Sequence, residues 1–575
     1  MISNLTTLQK NLKRDSSVLP MLKVALVGDT ATQFLAVALK GIGIERGFKL
    51  DLFEADYNQV ERQLLDASSE LHVFDADYIV VFQSTHKLLS GFNKMPLEKQ
   101  HTLADERVEF VRTIASTNKS RLIYFNYPEI DDTVFGSYSN KVENSFNYQV
   151  RKLNLMLMDS SRSYSNLFIC DIASLQNKIG RDALFHPAVY IGSEMVLSVN
   201  AVPYVASRTM DIITAIQGRF KKCLILDLDN TVWGGIVGDD GYEKLELGHE
   251  LGIGKAFTEF QQWVLKLKNR GIILAVCSKN NEETAKEPFE KHPEMVLKLD
   301  DIAVFIANWE NKADNIRRIQ SILNIGFDSM VFLDDNPFER NIVRENIPGI
   351  TVPELPEDPA EYLEYLYGLN LFETATYSNA DADRTRQYQV EAQRAATQTR
   401  FTNEADFLKS LNMESEVRPF NSFNTPRVSQ LSQRSNQFNL RTVRYTEADI
   451  ERMSTDDNFQ NFSFTLTDKF GDNGLICVVI LEKKDKETLF IDTWFMSCRV
   501  LKRGMEHFTL NTLVDYAQQN GFRNIIGEYI PTAKNSMVKE HYQQLGFRQA
   551  DDPTRHLFNL EVATYEMNEC YITAI

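Results

Sequence analysis

The stretch CLILDLDNT at residues 223–231 is a short apolar run that ends in two aspartates. The stretch MVFLDDN at residues 330–336 follows the same pattern, with two more aspartates after its apolar run. Short apolar runs with polar ends are typical of strands that are buried on both faces of a parallel sheet. Ligands bind at the carboxyl ends of such strands, so we expect both aspartate pairs at one edge of one sheet.

Strand-like and helix-like segments alternate through much of the chain. The strand-like segments are LKVALVGD, LDLFEAD, YIVVFQ, RLIYFNY and LFICDI, followed by CLILDLD, IILAVCS, IAVFIANW and SMVFLDD. This alternation predicts two parallel sheets with helices on both faces, and the different order after Phe401 predicts an α+β domain. The predicted organisation is a flavodoxin-like α/β domain at residues 1–215, a Rossmann-like α/β domain at 216–368, a solvated helical connector at 369–400 and an α+β domain at 401–575.

The composition is that of a globular protein with an acidic surface. Lys and Arg number 62 against 79 Asp and Glu, which gives a net charge of −17. Such a surface repels nucleic acid and anionic lipid, so neither is expected as a partner. Six scattered cysteines without a paired motif indicate free thiols in a reducing compartment. The sequence has no apolar stretch suited to a signal peptide or a membrane span, so we expect a cytoplasmic protein.

Two further polar residues fall near the ends of predicted strands between the aspartate pairs. Ser278 follows the run IILAVC, and Lys312 stands where a helix is expected to begin. The carboxylates of Asp227, Asp229 and Asp334 would crowd together and repel one another unless a cation lies among them. Oxygen ligands beside a phosphate suit Mg2+. The pattern therefore predicts a magnesium site that acts in phosphoryl transfer.

This chemistry suggests a role for each residue at the phosphate. Asp227 is the predicted nucleophile, which attacks phosphorus and forms an acyl phosphate. Asp229 is the predicted general acid and base, and its backbone carbonyl is expected to reach the metal. Ser278 and Lys312 are expected to hold the phosphoryl oxygens and to offset their charge.

The predicted metal ligands are Asp227, Asp229 and Asp334. Thr231 and Asp335 stand next to these ligands in sequence and are expected to orient them. A single pair of aspartates at a strand end is usually a helix cap or a solvated turn. The joint presence of both pairs, the serine and the lysine in this order favours a catalytic site.

These motifs resemble the signature of the haloacid-dehalogenase (HAD) superfamily, which is DxDx[TV], then Ser or Thr, then Lys, then paired Asp. The longer stretches DLDNTVWGGIVGDDG, VCSKNN, NWENKADNI and FLDDNPFER resemble its FkbH-like subfamily. The resemblance implies a Mg2+-dependent phosphatase or phosphotransferase that acts on a small phosphorylated substrate. It also implies loading of short acyl units, notably glyceryl groups from a phosphorylated three-carbon donor, onto the thiol of an acyl carrier protein.

The spacing of the motifs leaves no room for a separate cap domain. The intervals between Asp229, Ser278 and Lys312 accommodate one strand and one helix each, and the only candidate cover is the short flap WGGIVGDDG. An uncapped site suggests closure by another domain, a subunit or a macromolecular substrate. Cys277 alternates with Ser278 along a strand, so its thiol is expected in the core and not at the site.

The C-terminal segment resembles the Gcn5-related acyltransferase (GNAT) family. That family binds the pyrophosphate of coenzyme A at Arg/Gln-x-x-Gly-x-Gly/Ala, which corresponds here to RVLKRG at residues 499–504, with Lys502 in place of the first glycine. The resemblance implies binding of coenzyme A or a phosphopantetheine arm. The residues that it assigns to this role are Arg499, Arg503, Gly504, Asn535 and Tyr542. The alternative is a packing module that has kept the fold and lost the transfer.

The N-terminal segment resembles SGNH hydrolases, with Gly28-Asp29-Thr30 where that family has Gly-Asp-Ser. Thr30 stands at the nucleophile position, and Gln83-Ser84-Thr85 replaces an expected oxyanion-hole asparagine. Asp182 and His186 are one residue too far apart for the family's Asp/His block. These departures favour a binding or capping domain without hydrolase activity.

Three functions are compatible with these observations. The leading one is an HAD-type phosphatase that is coupled to acyl loading of a carrier protein. The second is a simple phosphomonoesterase whose flanking domains only shape the pocket. The third is a non-catalytic scaffold that binds a carrier protein or coenzyme A. The intact Asp227 and Asp229 weigh against the third.

Overall fold

A computed structural model describes residues 2–377, 384–398, 401–497, 500–532, 534–550 and 555–575. The chain divides into two compact units, Met1–Ala215 and Ile216–Ile575. Among the helices in the described ranges, none combines the length and the apolar character that crossing a bilayer requires.

The N-terminal unit is built on a five-stranded parallel sheet. Its strands are β1 (Met21–Gly28), β2 (Lys49–Glu54), β3 (Tyr78–Phe82), β4 (Arg121–Phe125) and β5 (Leu167–Cys170). They lie in the order β2-β1-β3-β4-β5, which is the order of a flavodoxin-like doubly wound sheet. The chain places β2 on one side of β1 and β3 on the other, so the direction of winding reverses at the β1–β3 pair.

Helices connect these strands and pack around the sheet. They are α1 (Leu5–Asn11), α2 (Gln33–Glu45), α3 (Val60–Leu65), α4 (Glu70–Phe74), α5 (Thr85–Phe92), α6 (Leu103–Thr117), α7 (Phe146–Ser163), α8 (Ile172–Ile179), α9 (Arg181–Leu184), α10 (Pro187–Ser193) and α11 (Val202–Ile216). Every residue of β3 is buried, which explains why its sequence is apolar without alternation.

The second unit begins with a four-stranded parallel sheet in the order β8-β7-β6-β9. Its strands are β6 (Cys223–Leu226), β7 (Ile273–Ser278), β8 (Ile302–Ala307) and β9 (Met330–Leu333). The helices of this region are α12 (Val237–Asp240), α13 (Ile253–Asn269), α14 (Glu282–Lys291), α15 (Lys312–Leu323), α16 (Pro337–Asn346) and α17 (Tyr362–Leu369). The expected Rossmann-like parallel sheet is confirmed.

The prediction of a helical connector in solvent is wrong about the solvent exposure of its helix. Residues Arg384–Gln398 form helix α18, which packs against β8 and α15 instead of standing in solvent. Tyr388 joins the apolar core beneath the four-stranded sheet, and Gln389 donates to the Ile302 carbonyl at 3.0 Å. The polar composition misled the sequence interpretation because α18 is held partly by hydrogen bonds and ion pairs.

The rest of the second unit has the mixed order expected of an α+β fold. Its strands are β10 (Met413–Ser415), β11 (Val417–Arg418), β12 (Phe459–Asp468), β13 (Gly471–Lys483), β14 (Thr488–Met496), β15 (Asn524–Glu528), β16 (Arg548–Gln549), β17 (Leu557–Glu561) and β18 (Ile572–Ala574). Its helices are α19 (Glu404–Ser410), α20 (Thr425–Arg434), α21 (Glu447–Thr455), α22 (Met505–Gln519) and α23 (His541–Gln544). The strands lie in the order β16-β17-β15-β14-β13-β12-β10-β18, and β11 pairs with β12.

A gap between β14 and β15 is filled by the chain itself. The two strands pair only near their starts and then diverge. Residues 438–440 enter the gap, where Phe438 accepts a hydrogen bond from the Met496 amide at 3.0 Å. Leu440 accepts one from the Ile530 amide at 2.9 Å. The segment therefore provides hydrogen-bond partners for some of the backbone amide and carbonyl groups that the diverging strands leave unpaired.

Candidate active site

The candidate site lies at the carboxyl edge of the four-stranded sheet. β6 ends one residue before Asp227, and β9 ends one residue before Asp334. Ser278 is the last residue of β7, and Lys312 is the first residue of α15, which follows β8. Four segments that are distant in sequence therefore bring these side chains to one edge.

Lys312 lies between two of the carboxylates. Its Nζ atom is 2.9 Å from Asp227 Oδ2 and 2.6 Å from Asp334 Oδ2. Burial alone would lower the pKa of Lys312, but the two carboxylates raise it above its ordinary value. The ammonium group therefore stays charged and partly neutralises both aspartates.

A cluster of carboxylate oxygens at this edge fits a divalent cation. Oxygens of Asp227, Asp334 and Asp335 lie within 4.8 Å of one another. The Oδ1 atom of Asp227 is buried and has no hydrogen-bond partner in the described part of the chain. Burial raises the pKa of Asp334; Asp227 adds to that rise and Lys312 opposes it. An unpartnered acceptor among three carboxylates matches the oxygen ligands that Mg2+ prefers.

The oxygen cluster contains Asp335 in place of Asp229, which was one of the predicted metal ligands. Asp335, which we expected only to orient the ligands, contributes an oxygen to it. Thr231 holds Asp335, because its Oγ1 accepts from the Asp335 amide at 3.0 Å and donates to Oδ1 at 3.3 Å. The buried Arg340 donates to the carbonyls of Asp334 and Asp335 at 2.8 and 2.7 Å. These contacts fix the loop that carries both aspartates.

The Asp229 side chain turns away from the oxygen cluster. Its Oδ1 accepts hydrogen bonds from Trp233 Nε1 at 2.9 Å and from the Val237 amide at 3.1 Å. Its Oδ2 accepts one from Asn280 Nδ2 at 3.1 Å. Burial raises the pKa of Asp229, and the bonds from Val237 and Trp233 oppose that rise. A metal contact through Asp229 would therefore use its backbone carbonyl, and its carboxyl group would serve proton transfer.

Asn280 and Arg340 are two residues of the site to which we assigned no role from sequence. Asn280 is buried and uses its Oδ1 to accept a hydrogen bond from the Asn281 amide at 2.9 Å, which leaves Nδ2 directed at Asp229. The stretch VCSKNN contained Asn280, but a carboxamide after a strand is not distinctive by itself. Its role depends on the turn that orients it.

The flap beside Asp227 carries no separate domain. Between β6 and α13 the structure has only α12 and a short turn of 3-10 helix. Asn230 and Gly235 adopt positive φ angles of 53° and 96°, which bend the chain back over the strand end. Trp233 is fully buried and packs edge-on against Phe289 with ring centres 5.7 Å apart. The indole thus anchors the flap to the core.

Ser278 and Cys277 have different environments. The Ser278 hydroxyl forms no hydrogen bond within the described chain, so it is available to a phosphoryl oxygen. Cys277 belongs to the core cluster beneath the sheet, and burial raises the pKa of its thiol. The prediction that Cys277 is a core residue is confirmed.

Arg503 does not hold a cofactor phosphate in this structure, contrary to its predicted role. Its guanidinium is buried in an ion cluster with Glu391 and with Asp468, the latter at 3.3 Å. Arg394 completes the cluster, with its Nη2 atom 2.8 Å from Asp468 Oδ2. Arg503 therefore joins α18 to the end of β12 and does not face a ligand.

The turn before α22 is also occupied by the chain itself. Gly504 has a φ of 80° and precedes the first residue of α22, and Lys502 has a φ of 62°. The Lys502 amide donates to a carboxylate oxygen of Glu506 at 3.4 Å, at the place where an anion would be expected. Burial raises the pKa of Glu506. Arg499 lies outside the described residues.

Asn535 and Tyr542 are likewise part of the interior. Asn535 Nδ2 donates to the carbonyls of Asn439 and Ile530 at 2.9 and 3.0 Å, which ties it to the segment that fills the gap between β14 and β15. Tyr542 is 1% exposed and packs against Gly527, where any added Cβ would meet its ring. These contacts assign both residues to packing and correct the expectation that they face a pantetheine arm.

The esterase-like residues of the N-terminal unit do not form a triad. Thr30 is fully buried, and its hydroxyl has no hydrogen-bond partner in the described chain. His186 precedes α10 and, like Asp182, is exposed. No hydrogen bond links Thr30 to His186 within residues 2–215.

Comparisons with known proteins agree with this architecture. The family model for the FkbH N-terminal domain matches residues 23–214. A solved structure from Bacteroides fragilis, described as the N-terminal part of the protein BF1531 containing a phosphatase domain complexed with Mg, is 63% identical. It covers 65% of this chain and 100% of its own, with a TM-score of 0.64.

Other solved structures match only the smaller part of the chain. The ribosomal-protein-S18-alanine N-acetyltransferase from Escherichia coli is 15% identical and covers 27% of this chain and 98% of its own, with a TM-score of 0.21. A comparison with curated proteins gives no match.

Proposed function

The chain belongs to the FkbH family, and on that premise we propose that it is a magnesium-dependent phosphatase with Asp227 as its nucleophile. One observation carries the proposal. The Oδ2 atom of Asp227 is held by Lys312, while its buried Oδ1 has no partner in the described chain. A carboxylate that Lys312 orients through one oxygen, and whose other oxygen has no protein partner, has the two oxygens needed to hold a metal ion and to attack phosphorus. The 63% identical solved structure, which is described as containing a phosphatase domain complexed with Mg, supports the coarser part of the proposal, a magnesium-dependent phosphatase.

The chain's own residues account for both half-reactions. A carboxylate oxygen of Asp227 forms a bond to phosphorus while the bond to the leaving oxygen breaks, and Asp229 donates the proton that the leaving oxygen takes up. This step produces an aspartyl phosphate and a free alcohol. Asp229 then accepts a proton from water, and the water oxygen attacks phosphorus while the bond from phosphorus to Asp227 breaks, which releases phosphate and restores the carboxylate. Ser278 and Lys312 hold the phosphoryl oxygens in both steps.

Magnesium would be held by the carboxylates of Asp227, Asp334 and Asp335. When bound, the ion neutralises phosphate charge and orients the phosphoryl group. The carboxyl group of Asp229 is not among these ligands. Hydrogen bonds from Trp233 and Asn280 fix it beside the cluster, where it can transfer a proton.

We extend the proposal to a substrate that is presented by a macromolecule, namely an acyl carrier protein. Large apolar side chains are exposed in the segments that follow the strands of the four-stranded sheet, among them Ile236, Trp309 and Phe338 at 43%, 76% and 67%. Ile236 lies in the flap, Trp309 precedes Lys312, and Phe338 follows Asp335. Exposed apolar residues beside an uncapped polar site suit closure by a partner surface.

Acyl loading would require transfer from an acyl phosphate to the carrier thiol. The thiol sulfur attacks the acyl carbon, the bond from that carbon to the phosphate oxygen breaks, and the departing phosphate takes up the thiol proton. Cys277 is buried, so a thioester on this residue is disfavoured and direct transfer is the simpler route. A phosphomonoesterase that acts on a free small metabolite is the second candidate, and the same polar residues would support it.

The phosphatase proposal is tested by phosphate release from a panel of phosphomonoesters with Mg2+. Activity is expected for the wild-type chain and not for Asp227→Asn, and Asp239→Asn in the exposed flap serves as the matched control. Activity that persists in Asp227→Asn would exclude the proposed nucleophile.

The carrier proposal needs a separate measurement. Intact-mass spectrometry of a holo carrier protein, incubated with the enzyme and 1,3-bisphosphoglycerate, should show a covalent phosphoglyceryl adduct, which becomes a glyceryl adduct when the phosphatase site hydrolyses the remaining phosphate. Replacing Trp309 and Phe338 together with Ser should reduce loading but leave hydrolysis of a small phosphomonoester unchanged. Full phosphatase activity with no adduct would favour the simple phosphomonoesterase.

A further inference from the structure

A second cavity, of about 640 Å³, lies in the N-terminal unit and is not part of the site described above. Its lining includes Asp29, which directly follows β1, and Gln83 and Ser84, which directly follow β3. The direction of winding reverses between these two strands, so the connections diverge and leave a crevice at their carboxyl ends. The position is the one at which doubly wound sheets bind ligands.

A chain of hydrogen bonds orients a donor into this cavity. The Tyr124 hydroxyl donates to Gln83 Oε1 at 2.7 Å, so its single proton is used there. In the 2.6 Å contact between the Tyr124 and Tyr127 hydroxyls, Tyr127 is therefore the donor. Because Gln83 Oε1 is occupied as an acceptor, its amide group presents N–H donors, and these have no acceptor in the described chain.

The cavity also contains one cation that is not held in an ion pair. Arg107 lines it and forms no ion pair or hydrogen bond within the described part of the chain; its guanidinium lies 5.6 Å from the centre of the Phe110 ring. Burial lowers the pKa of Arg107, and nearby groups that include Glu61 and Asp29 of the same lining raise it. The other two cations of the lining are paired, Lys87 with Glu194 at 3.0 Å and Arg62 with Glu70 at 2.9 Å. Arg107 is thus the lining cation that is available to an anion.

The cavity lining also includes a hydrogen-bond acceptor, the carboxyl group of Asp29. Both oxygens of Asp29 accept from the Ser84 amide, at 2.9 and 3.0 Å, which fixes the carboxyl group after β1. One amide proton leaves most of the lone pairs unused. Burial raises the pKa of Asp29 to about 7, and hydrogen bonds from Ser84 and the charges of Arg107 and Lys87 oppose that rise.

We propose that this cavity binds a small polyhydroxylated organic anion. Its carboxylate or phosphate would bind the Arg107 guanidinium and the Gln83 amide, and a hydroxyl would donate to Asp29. Hydrolysis at this place is not part of the proposal, because Thr30 is fully buried and does not line the cavity. The proposal is independent of the phosphatase assignment, since every residue that carries it lies in the N-terminal unit.

Calorimetric titration of the full chain tests the proposal. The chain carries Asp227→Asn, and a chelator is present, so that neither turnover nor metal-dependent binding at the phosphatase site contributes. Three ligands are titrated. Gluconate tests binding of a carboxylate, glucose 6-phosphate tests binding of a phosphate, and glucose is the uncharged control. At least one anion should bind tenfold or more tightly than glucose.

Two substitutions assign the binding. Arg107→Gln should weaken the preferred anion by about tenfold to a hundredfold, the usual range for a lost charge-assisted hydrogen bond. Arg112→Gln, on the same helix but outside the cavity lining, should leave binding unchanged. Binding of neither anion, equal binding of glucose, or equal effects of the two substitutions would overturn the proposal.

A labelling measurement on the unsubstituted arginines covers the case in which Arg107→Gln fails to fold. Phenylglyoxal modifies accessible guanidinium groups, and peptide mass spectrometry reports each arginine separately. The preferred anion should protect Arg107 and not Arg112. Equal modification of Arg107 with and without the anion contradicts the proposal.

Discussion

The Lys312 ammonium group lies 2.6 Å from Asp334 Oδ2, and neither side chain is more than 3% exposed. The same ammonium group also contacts Asp227, so one buried cation serves two buried carboxylates. Desolvated carboxylates without a counterion are costly, so Lys312 partly neutralises the carboxylate cluster. In the proposed mechanism the same ammonium group also contacts a phosphoryl oxygen, so one residue would serve both structure and catalysis.

Lys312→Met should abolish phosphate release and destabilise the second unit. Removing one partner of a buried ion pair costs about 3–5 kcal/mol, because the remaining charges stay buried. Saturating Mg2+ should recover part of this loss, since the metal replaces the missing cation. Denaturant unfolding with chelator and with Mg2+ measures both effects. Exposed Lys244→Met is the control, and an equal loss with and without Mg2+ would contradict the explanation.

Asp227→Asn should reduce phosphate release by at least about a thousandfold, as expected when the covalent nucleophile is removed. The amide nearly matches the carboxylate in shape, so the unfolding midpoint should change little. The substitution also removes one oxygen ligand, so Mg2+ binding by calorimetry should weaken. Residual turnover within tenfold of wild type would remove Asp227 from the nucleophile role.

Asn280→Ala should reveal whether Asn280 acts through Asp229. Without its hydrogen bond the general acid loses orientation, which should lower turnover by about tenfold to a hundredfold for an alkyl phosphate. A nitrophenyl phosphate has a leaving group that needs no proton, so its turnover should fall much less. Comparison of kcat for the two substrates separates this positioning role from a general loss of structure, which would lower both equally.

Much of the fold could be predicted because buried parallel strands are apolar throughout and end in polar residues. Asp227, Ser278, Lys312 and Asp334 could be found for the same reason, as each stands at a strand end or a helix start. The sequence did not show which carboxylates would form the oxygen cluster. Whether Asp229 or Asp335 points into it depends on the turn at Asn230, which adopts a positive φ, and on the path of the flap. The sequence shows that a flap is present but not how it orients the two carboxylates.

The expectation that Arg503 faces a cofactor phosphate differs from the structure for a related reason, although the expected α+β fold of this region is present. Arg503 matched a phosphate-binding pattern, but its actual partner Glu391 lies 112 residues away in sequence. Sequence pattern gives residue types at local spacing, whereas an ion pair depends on how α18 packs between two sheets. Likewise, nothing local shows that residues 438–440 fill the gap beside β14.

Arg503→Met should therefore destabilise the second unit without changing phosphatase kinetics. The buried cluster would keep Glu391 and Asp468 with only Arg394 to neutralise them, at a cost of about 3–5 kcal/mol. Urea unfolding and steady-state phosphate release measure the two effects separately. Arg523→Met, whose side chain is 74% exposed, is the matched control. Weakened binding of coenzyme A by Arg503→Met, with unchanged stability, would restore the cofactor role.

The last prediction concerns acid stability and rests on His541, which is 6% exposed and packs between Phe438 and Trp494 at ring-centre distances of 4.8 and 4.7 Å. Burial lowers the pKa of His541 to about 3, from 6.5 for a solvated ring. The folded state therefore keeps the ring neutral while the unfolded state takes up a proton.

The free energy of unfolding then decreases as pH falls below 6.5, and it continues to decrease until the pH reaches the pKa of His541 in the folded state, about 3. At pH 5 it amounts to about 2 kcal/mol relative to pH 8, from 1.36 kcal/mol per unit of pH. His541→Phe keeps an aromatic ring in the same place and removes this proton uptake. The free energy of unfolding of wild type minus that of His541→Phe should become more negative by this amount between pH 8 and pH 5. Comparing the two proteins cancels the titration of the other groups. A pH-independent difference for His541→Phe would show that folding leaves the pKa of His541 unchanged.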